Sequence, residues 1–395
     1  MRGTVRKPRS PGGTWSYRLD LGLDADGRRA QKQVGGFRTK KDAQAALNDA
    51  LSSIQHGTYV APSRQTLTAF LDQWIEGART ELALTAWTAY RDIIRRWIKP
   101  TLGGKRLVEL TPMEIKAWHG DLLDHGGARG RPLSVRSVQF AHRVLHRALA
   151  DAVRWNLIPT NPASGARAPR VRQAEMKVWN GEEAARFLRH VAEDRLAALW
   201  TVALHCGLRR GELAGLRWKD VDLDRATLTV AQQMTEANHQ LVISTPKSKS
   251  QRQILLAPAT VASLRQHRAV QLRERLALGE AWTDSGYVFV DEAGRSYHPH
   301  SYLPMFRRAC GRAGVPKIRL HDLRHTMATL ALEAGVHPKV VQEQLGHSGI
   351  NVTLDIYSHV PQAVRRDSAA KIAALFGNDP VAADPADRAS VDWSQ

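Results

Sequence analysis

His205-Cys-Gly-Leu-Arg209-Arg-Gly-Glu212-Leu-Ala-Gly-Leu-Arg-Trp218 sets an arginine three residues before a carboxylate, in a chain that later reads His321-Asp-Leu-Arg324-His325 and then Thr353-Leu-Asp-Ile-Tyr357-Ser-His. A guanidinium can give two parallel hydrogen bonds to phosphate oxygens and stays charged throughout a reaction. A tyrosine hydroxyl, by contrast, attacks only after shedding its proton. With a pKa of about 10 it is roughly a thousandfold under-ionised at neutral pH, a deficit of about 4 kcal/mol that its surroundings must offset. Two arginines and two histidines are suitable surroundings, so the set reads as a phosphate clamp around a nucleophile. Alone, Arg209 and Glu212 would read as a solvated helix ion pair; the company of the other motifs reverses that.

Composition points to a polyanionic partner. The chain has 395 residues, a formal net charge of +19 and a pI near 10.4. That balance favours nucleic acid over a membrane surface and implies salt-dependent binding through counterion release. Its length exceeds one ordinary core, and 43% hydrophobic content supports two or three folded units. Met1 to Arg9 is basic but runs into Pro-Gly-Gly rather than an apolar stretch, so no signal peptide is expected. The apolar run Leu196 to Leu208 contains His205 and is too short to span a bilayer. Cys206 and Cys310 supply neither a disulfide framework nor a zinc cluster, which fits a reducing, cytoplasmic setting.

Trp15, Tyr17, Leu19, Leu21 and Leu23 alternate with polar residues and predict a half-buried strand. Asp24 to Gly27 is a hairpin turn signal, Arg28 to Val34 can return, and Gly3 to Lys7 can add a third strand. Thr39 then caps a helix to about Ile54. Residues 1–60 hold 11 Lys+Arg against 5 Asp+Glu, so this small sheet is a candidate DNA reader.

From Leu67 the period becomes helical. Leu67, Phe70, Leu71, Trp74 and Ile75 form one apolar stripe; Trp87, Tyr90, Ile93, Ile94 and Ile98 form a second, expected to stop at Pro100. Thr111-Pro-Met-Glu114 starts a third helix, and Ser134 to Trp155 makes a fourth. These aromatics read as core, leaving exposed Arg131, Arg136 and Arg143 as DNA contacts. Asn161 to Arg172 carries Pro, Gly and basic residues without apolar period and reads as a connector. Beyond Gly377, four Asp against one Arg mark an acidic tail expected to be disordered. The resulting division is residues 1–62, 63–163, 164–177 as linker, 178–376, and 377–395 as tail. The fold class is multidomain: a small three-stranded sheet plus helix, an all-α unit, and a mostly α unit with a small antiparallel sheet (α+β).

Three further stretches complete the chemistry. Leu241 to Leu256 reads as two strands around a polar turn holding Lys247 and Lys249. His321 and Arg324 share a helix face at i, i+3. His321 and His325 at i, i+4 could suggest a metal pair, but no third ligand is suitably spaced and no His-Glu-x-x-His is present. Lys339 to His347 ends in Leu-Gly-His, ten residues before Tyr357.

In this order the motifs resemble the tyrosine recombinase family, in particular phage-type integrases with an N-terminal arm-binding domain, over nearly all the chain except the tail. The resemblance implies that Arg209 and Arg324 clamp the scissile phosphate and that His347 donates to a non-bridging oxygen. His321 would hydrogen-bond the phosphate or relay the tyrosine proton. Lys247, with Lys249 as the alternative, would protonate the leaving oxygen, Glu212 would support the site, and Tyr357 would attack. It further implies double-stranded DNA attachment sites as substrate, a homotetramer on DNA, an exchanged C-terminal helix at Arg365 to Phe376, DNA-bending and directionality proteins as partners, and neither cofactor nor metal. A type IB topoisomerase shares this chemistry without strand exchange. A non-catalytic regulator would explain the charge but not the nucleophile, acid and clamp together.

Overall fold

The computed structural model describes residues 3–8, 10, 12–23, 29–55, 63–170, 176–238, 240–245, 251–346 and 349. They divide into two compact units, residues 1–173 and 174–395.

In the first unit, β1 (Gly3–Arg6), β2 (Trp15–Leu23) and β3 (Arg29–Phe37) form an antiparallel sheet in that order. Alternation puts Tyr17 and Leu19 on the buried face, against Leu47 and Ala50 of α1 (Lys40–Gln55). Thr39 accepts the Asp42 N–H and so caps that helix. The turn expected at Asp24 to Gly27 lies outside the described residues.

The helical part comprises α2 (Leu67–Gly77), α3 (Leu84–Ile93), α4 (Pro112–His125) and α5 (Val135–Arg154). Phe70, Trp74 and Trp87 are buried as the stripes require, Trp118 of α4 is buried too, and the indole N–H groups are satisfied: Trp74 donates to Asp151 (2.7 Å), Trp87 to the Ile75 carbonyl (2.9 Å) and Trp118 to the Trp97 carbonyl (2.8 Å). Arg131, Arg136 and Arg143 are exposed.

One expectation needs correction here. Pro100 does not stop the second helix: α3 passes through a π-helical turn at Ile94–Ile98 into a short helix at Lys99–Leu102, with Pro100 in its first turn. The widened turn lets the Lys99 N–H reach the Ile94 carbonyl, and proline, which has no N–H, sits where a donor would be unpaired anyway. The stretch read as a connector begins with local structure. Pro162–Gly165 is a helical turn capped by Asn161, with Ala163 and Ala166 buried in the helical core; small apolar side chains pack there without an amphipathic period.

The second unit contains α6 (Gly181–His190), α7 (Ala197–Cys206), α8 (Arg210–Ala214), the strands β4 (Val221–Asp222), β5 (Thr227–Val230), β6 (Gln233–Ala237), β7 (Gln240–Ser244) and β8 (Arg252–Leu255), then α9 (Pro258–Leu278), α10 (Tyr302–Ala313), α11 (Asp322–Glu333) and α12 (Pro338–Leu345). Trp179, Phe187, Trp200 and Phe306 form the aromatic centre of its core, with ring centroids from 4.9 to 6.2 Å apart. The two strands expected in Leu241 to Leu256 exist but do not pair with each other. β7 pairs with β6, whereas β8 pairs with β5 in the sheet β4-β5-β8. Ile254 and Leu256 turn inward on that side, and burying them decides the partner.

Candidate active site

The site is built where the end of α7, the start of α8, strand β8, the first turn of α11 and the end of α12 converge. Gly207 follows α7 with φ +62° and turns the chain; a Cβ there would lie 2.5 Å from Leu345 Cδ2. Arg209 is the N-cap residue of α8. The Glu212 carboxylate reaches back one turn to accept the Arg209 backbone N–H (2.9 Å) and Nη1 (2.8 Å).

Glu212 is 1% exposed, and a carboxylate so buried needs compensation. Arg252 supplies it with a two-pronged contact, Nη1 to Oε1 at 3.1 Å and Nη2 to Oε2 at 2.7 Å. Burial pushes the Glu212 carboxyl up, but hydrogen bonds and charge from Arg252 and then Arg209 outweigh it and hold the carboxyl below the ordinary glutamate range. Glu212 is therefore ionised at neutral pH.

Arg324, in the first turn of α11, is 2% exposed. Its Nη1 donates to the Gly207 carbonyl (2.8 Å) and its Nη2 to the Leu345 carbonyl (2.6 Å), neither of which brings formal charge. Burial and then the Arg209 charge lower its pKa to about 9, so it remains protonated at pH 7. Among the described residues Arg209 and Arg252 thus share one carboxylate, while Arg324 is held by carbonyls alone. The surplus of positive charge in a water-poor site suits an incoming anion.

The end of α12 completes the frame. Its last carbonyls have no intrahelical partner. Arg252 Nε takes the Gln344 carbonyl (2.8 Å), Arg324 the Leu345 carbonyl, and Arg209 Nη2 the Gly346 carbonyl (3.3 Å). Gln344 in turn donates to the His205 carbonyl (3.1 Å). His321 stands at the N-cap of α11 as an exposed residue, unlike its i+3 neighbour Arg324. Its ring lies edge-on to His325, centroids 5.1 Å apart. Packing of the ring against the protein, then the charges of His325, Arg324 and Arg209, push its pKa down to about 4, leaving a neutral imidazole at pH 7. Below it, Asp322 accepts from Arg319 and its carbonyl takes the Thr326 hydroxyl (2.9 Å), which fixes the helix start.

Arg209, Glu212, His321 and Arg324 are thus brought together. Lys247, Lys249, His347 and Tyr357 lie outside the described residues, as does Arg365 to Phe376. Arg252 received no role from the sequence motifs, yet a signal was present. Arg252, Ile254 and Leu256 alternate, so a charged residue occupies a core-facing strand position, which demands a partner. Among the described residues no group of three or more His, Cys, Asp or Glu could hold a metal ion, and no helix is long and apolar enough to cross a membrane.

Residues 178–363 match the phage integrase family, residues 66–123 the phage integrase N-terminal SAM-like domain and residues 4–54 an arm DNA-binding domain. The chain belongs to the tyrosine recombinase family of DNA breaking and rejoining enzymes, whose reaction passes through a phosphotyrosine link. It is 28% identical over 363 residues to the tyrosine recombinase XerC-like protein of Caldanaerobacter subterraneus subsp. tengcongensis, covering 87% of this chain and 91% of that relative. The fold is similar to that of the Tn1549 transposon integrase in complex with a circular intermediate DNA (TM-score 0.66, 21% identity, 78% of this chain and 99% of the other). It is also similar to lambda integrase, seen as a tetramer bound to a Holliday junction (TM-score 0.55, 18% identity, 89% and 94%).

Proposed function

We propose that this chain is an integrase of a phage or other mobile element, and that Tyr357 is its nucleophile. Tyr357 Oη attacks the scissile phosphorus and the bond to the 5′ oxygen breaks, leaving a 3′-phosphotyrosyl link and a 5′ hydroxyl. Lys247, or alternatively Lys249, gives its proton to that oxygen. Arg209 and Arg324 hold the non-bridging oxygens as charge grows on them, joined by His347. A neutral His321 can take the tyrosine proton or donate to the phosphate. Because the link conserves the bond energy, a 5′ hydroxyl of another strand can reverse the step and rejoin the DNA.

The observation that carries this reading is the pair Arg209 and Arg324, of which only Arg209 is paired with a carboxylate among the described residues, both braced on the carbonyls that immediately precede His347. The proposed partners follow: attachment-site duplex DNA gripped by the basic N-terminal sheet and the helical domain, a homotetramer exchanging strands in pairs as the lambda integrase likeness suggests, and DNA-bending and directionality proteins. Such a protein works in the cytoplasm, on host DNA.

The test is incubation with nicked suicide DNA sites followed by denaturing gels. Wild-type protein should form a covalent adduct and the Tyr357→Phe variant none, at unchanged DNA affinity. An adduct of normal yield from the variant would rule out this nucleophile. Supercoil relaxation without strand exchange would favour the topoisomerase reading.

A further inference from the structure

The site holds a buried arginine that the proposed chemistry does not use. Arg252 is 9% exposed and makes three directed contacts: Nη1 and Nη2 to the two oxygens of Glu212, and Nε to the Gln344 carbonyl. Glu212 in turn holds the backbone and the guanidinium of Arg209. Gln344 belongs to the same helix end whose next two carbonyls receive Arg324 and Arg209. Gly346 has φ +63°, and a Cβ there would lie 3.1 Å from Arg252 Cδ and Nη1, so backbone and guanidinium are closely packed. Arg252 also begins β8, directly after the segment that contains Lys247.

We propose that Arg252 is a positioning residue for DNA cleavage: it shares the charge of Glu212, so that Arg209, which holds Glu212 through Nη1, keeps charge for phosphate, and it ties the strand after Lys247 to the helix end before His347. This rests on the recombinase reading above. The argument is one of charge competition. A buried carboxylate must be compensated. With Arg252 it shares two guanidiniums; without it, Glu212 has Arg209 as its remaining hydrogen-bonded cation among the described residues. Arg209 would then spend its charge on Glu212 rather than on phosphate. A purely structural arginine has no such dependence on the charge of Glu212.

The experiment is single-turnover cleavage of a nicked suicide site by the full chain, with DNA affinity and thermal unfolding measured alongside. Arg252→Gln is expected to slow adduct formation by about 100-fold, the scale for losing one transition-state donor, with affinity within about twofold. Arg252→Lys, which keeps charge but loses the fork, should fall between. Adding Glu212→Gln to Arg252→Gln should restore about tenfold, because the neutral amide can still accept the Arg209 N–H but no longer competes for its charge. Wild-type rates in folded Arg252→Gln would overturn the proposal. So would a double variant no faster than Arg252→Gln, or equal losses of affinity and cleavage, either of which marks a structural role. If the wild-type protein forms no adduct, the function and this inference fall together; if it does and Arg252→Gln matches it, only the inference falls.

Discussion

Arg209 and Arg324 donate to adjacent backbone carbonyls, those of Gly346 and Leu345, so two side chains distant in sequence are referenced to two consecutive peptide units. Their separation is thereby set by the backbone rather than by the reach of flexible side chains. That is what a clamp needs if it is to meet both non-bridging oxygens without reorganising.

Arg209→Ala and Arg324→Ala should each slow adduct formation by on the order of 10²–10⁴-fold while weakening DNA binding far less, since the lost contact strengthens in the transition state. Cleavage rates on suicide DNA compared with equilibrium affinity check this. Proportional losses of both would mark the arginines as structural.

The general acid can be told from its neighbour by the leaving group. Lys247→Ala should cleave ordinary DNA very slowly but recover most of its rate on DNA with sulfur at the bridging 5′ position, because a thiolate leaves without a proton. If Lys249→Ala shows that recovery and Lys247→Ala does not, the assignment passes to Lys249.

Gly207→Ala should lower both stability and cleavage. The position has φ +62°, the new methyl would meet Leu345, and the Gly207 carbonyl is an acceptor for Arg324. A cost of about 1–3 kcal/mol in unfolding free energy is expected, together with a cleavage defect. Full activity would show that the turn has no part in holding Arg324.

In the helical part of the first unit, His119 Nε2 lies 3.1 Å from His142 Nδ1, an arrangement that requires at least one neutral ring. Burial, and for His142 also the neighbouring His119 and His146, lowers both pKa values, that of His142 to about 4. A histidine whose folded pKa is depressed binds protons preferentially when unfolded. Stability is therefore full above about pH 6.5 and falls as pH drops toward 4. Between pH 7 and 5 the loss should be about 1–2 kcal/mol. Thermal unfolding at the two pH values reads it, and the His119→Leu/His142→Leu pair should flatten the dependence. An equally steep dependence in that variant would acquit the pair.

A protein beginning near Pro62 should still bind and cleave a core site weakly yet fail to recombine sites whose assembly needs flanking DNA, because it has lost one of two grips and the effective concentration they create. Undiminished recombination by the truncated form would sink the arm-binding role of the basic sheet.

Sequence alone determined most of the elements and named the candidate residues of the site. Arg209, Glu212, His321 and Arg324 were legible as candidates because their residue types suit a phosphate and their motifs resemble those of one family, and the stripe from Leu67 to Ile75 because burying one helix face imposes a period of 3.6. What depended on non-local pairing was not legible. β8 chose β5 rather than β7, because the apolar residues beside it had to be buried. Pro100 lies within a continuing helical path because a π turn at Ile94–Ile98 rearranged the donors. Only the tertiary structure decided that Arg252 faces Glu212 across 40 positions, and that three arginines divide the last carbonyls of one helix. Residue type states what a group can do; its partner is set by which distant backbone the packed core brings within 3 Å of it.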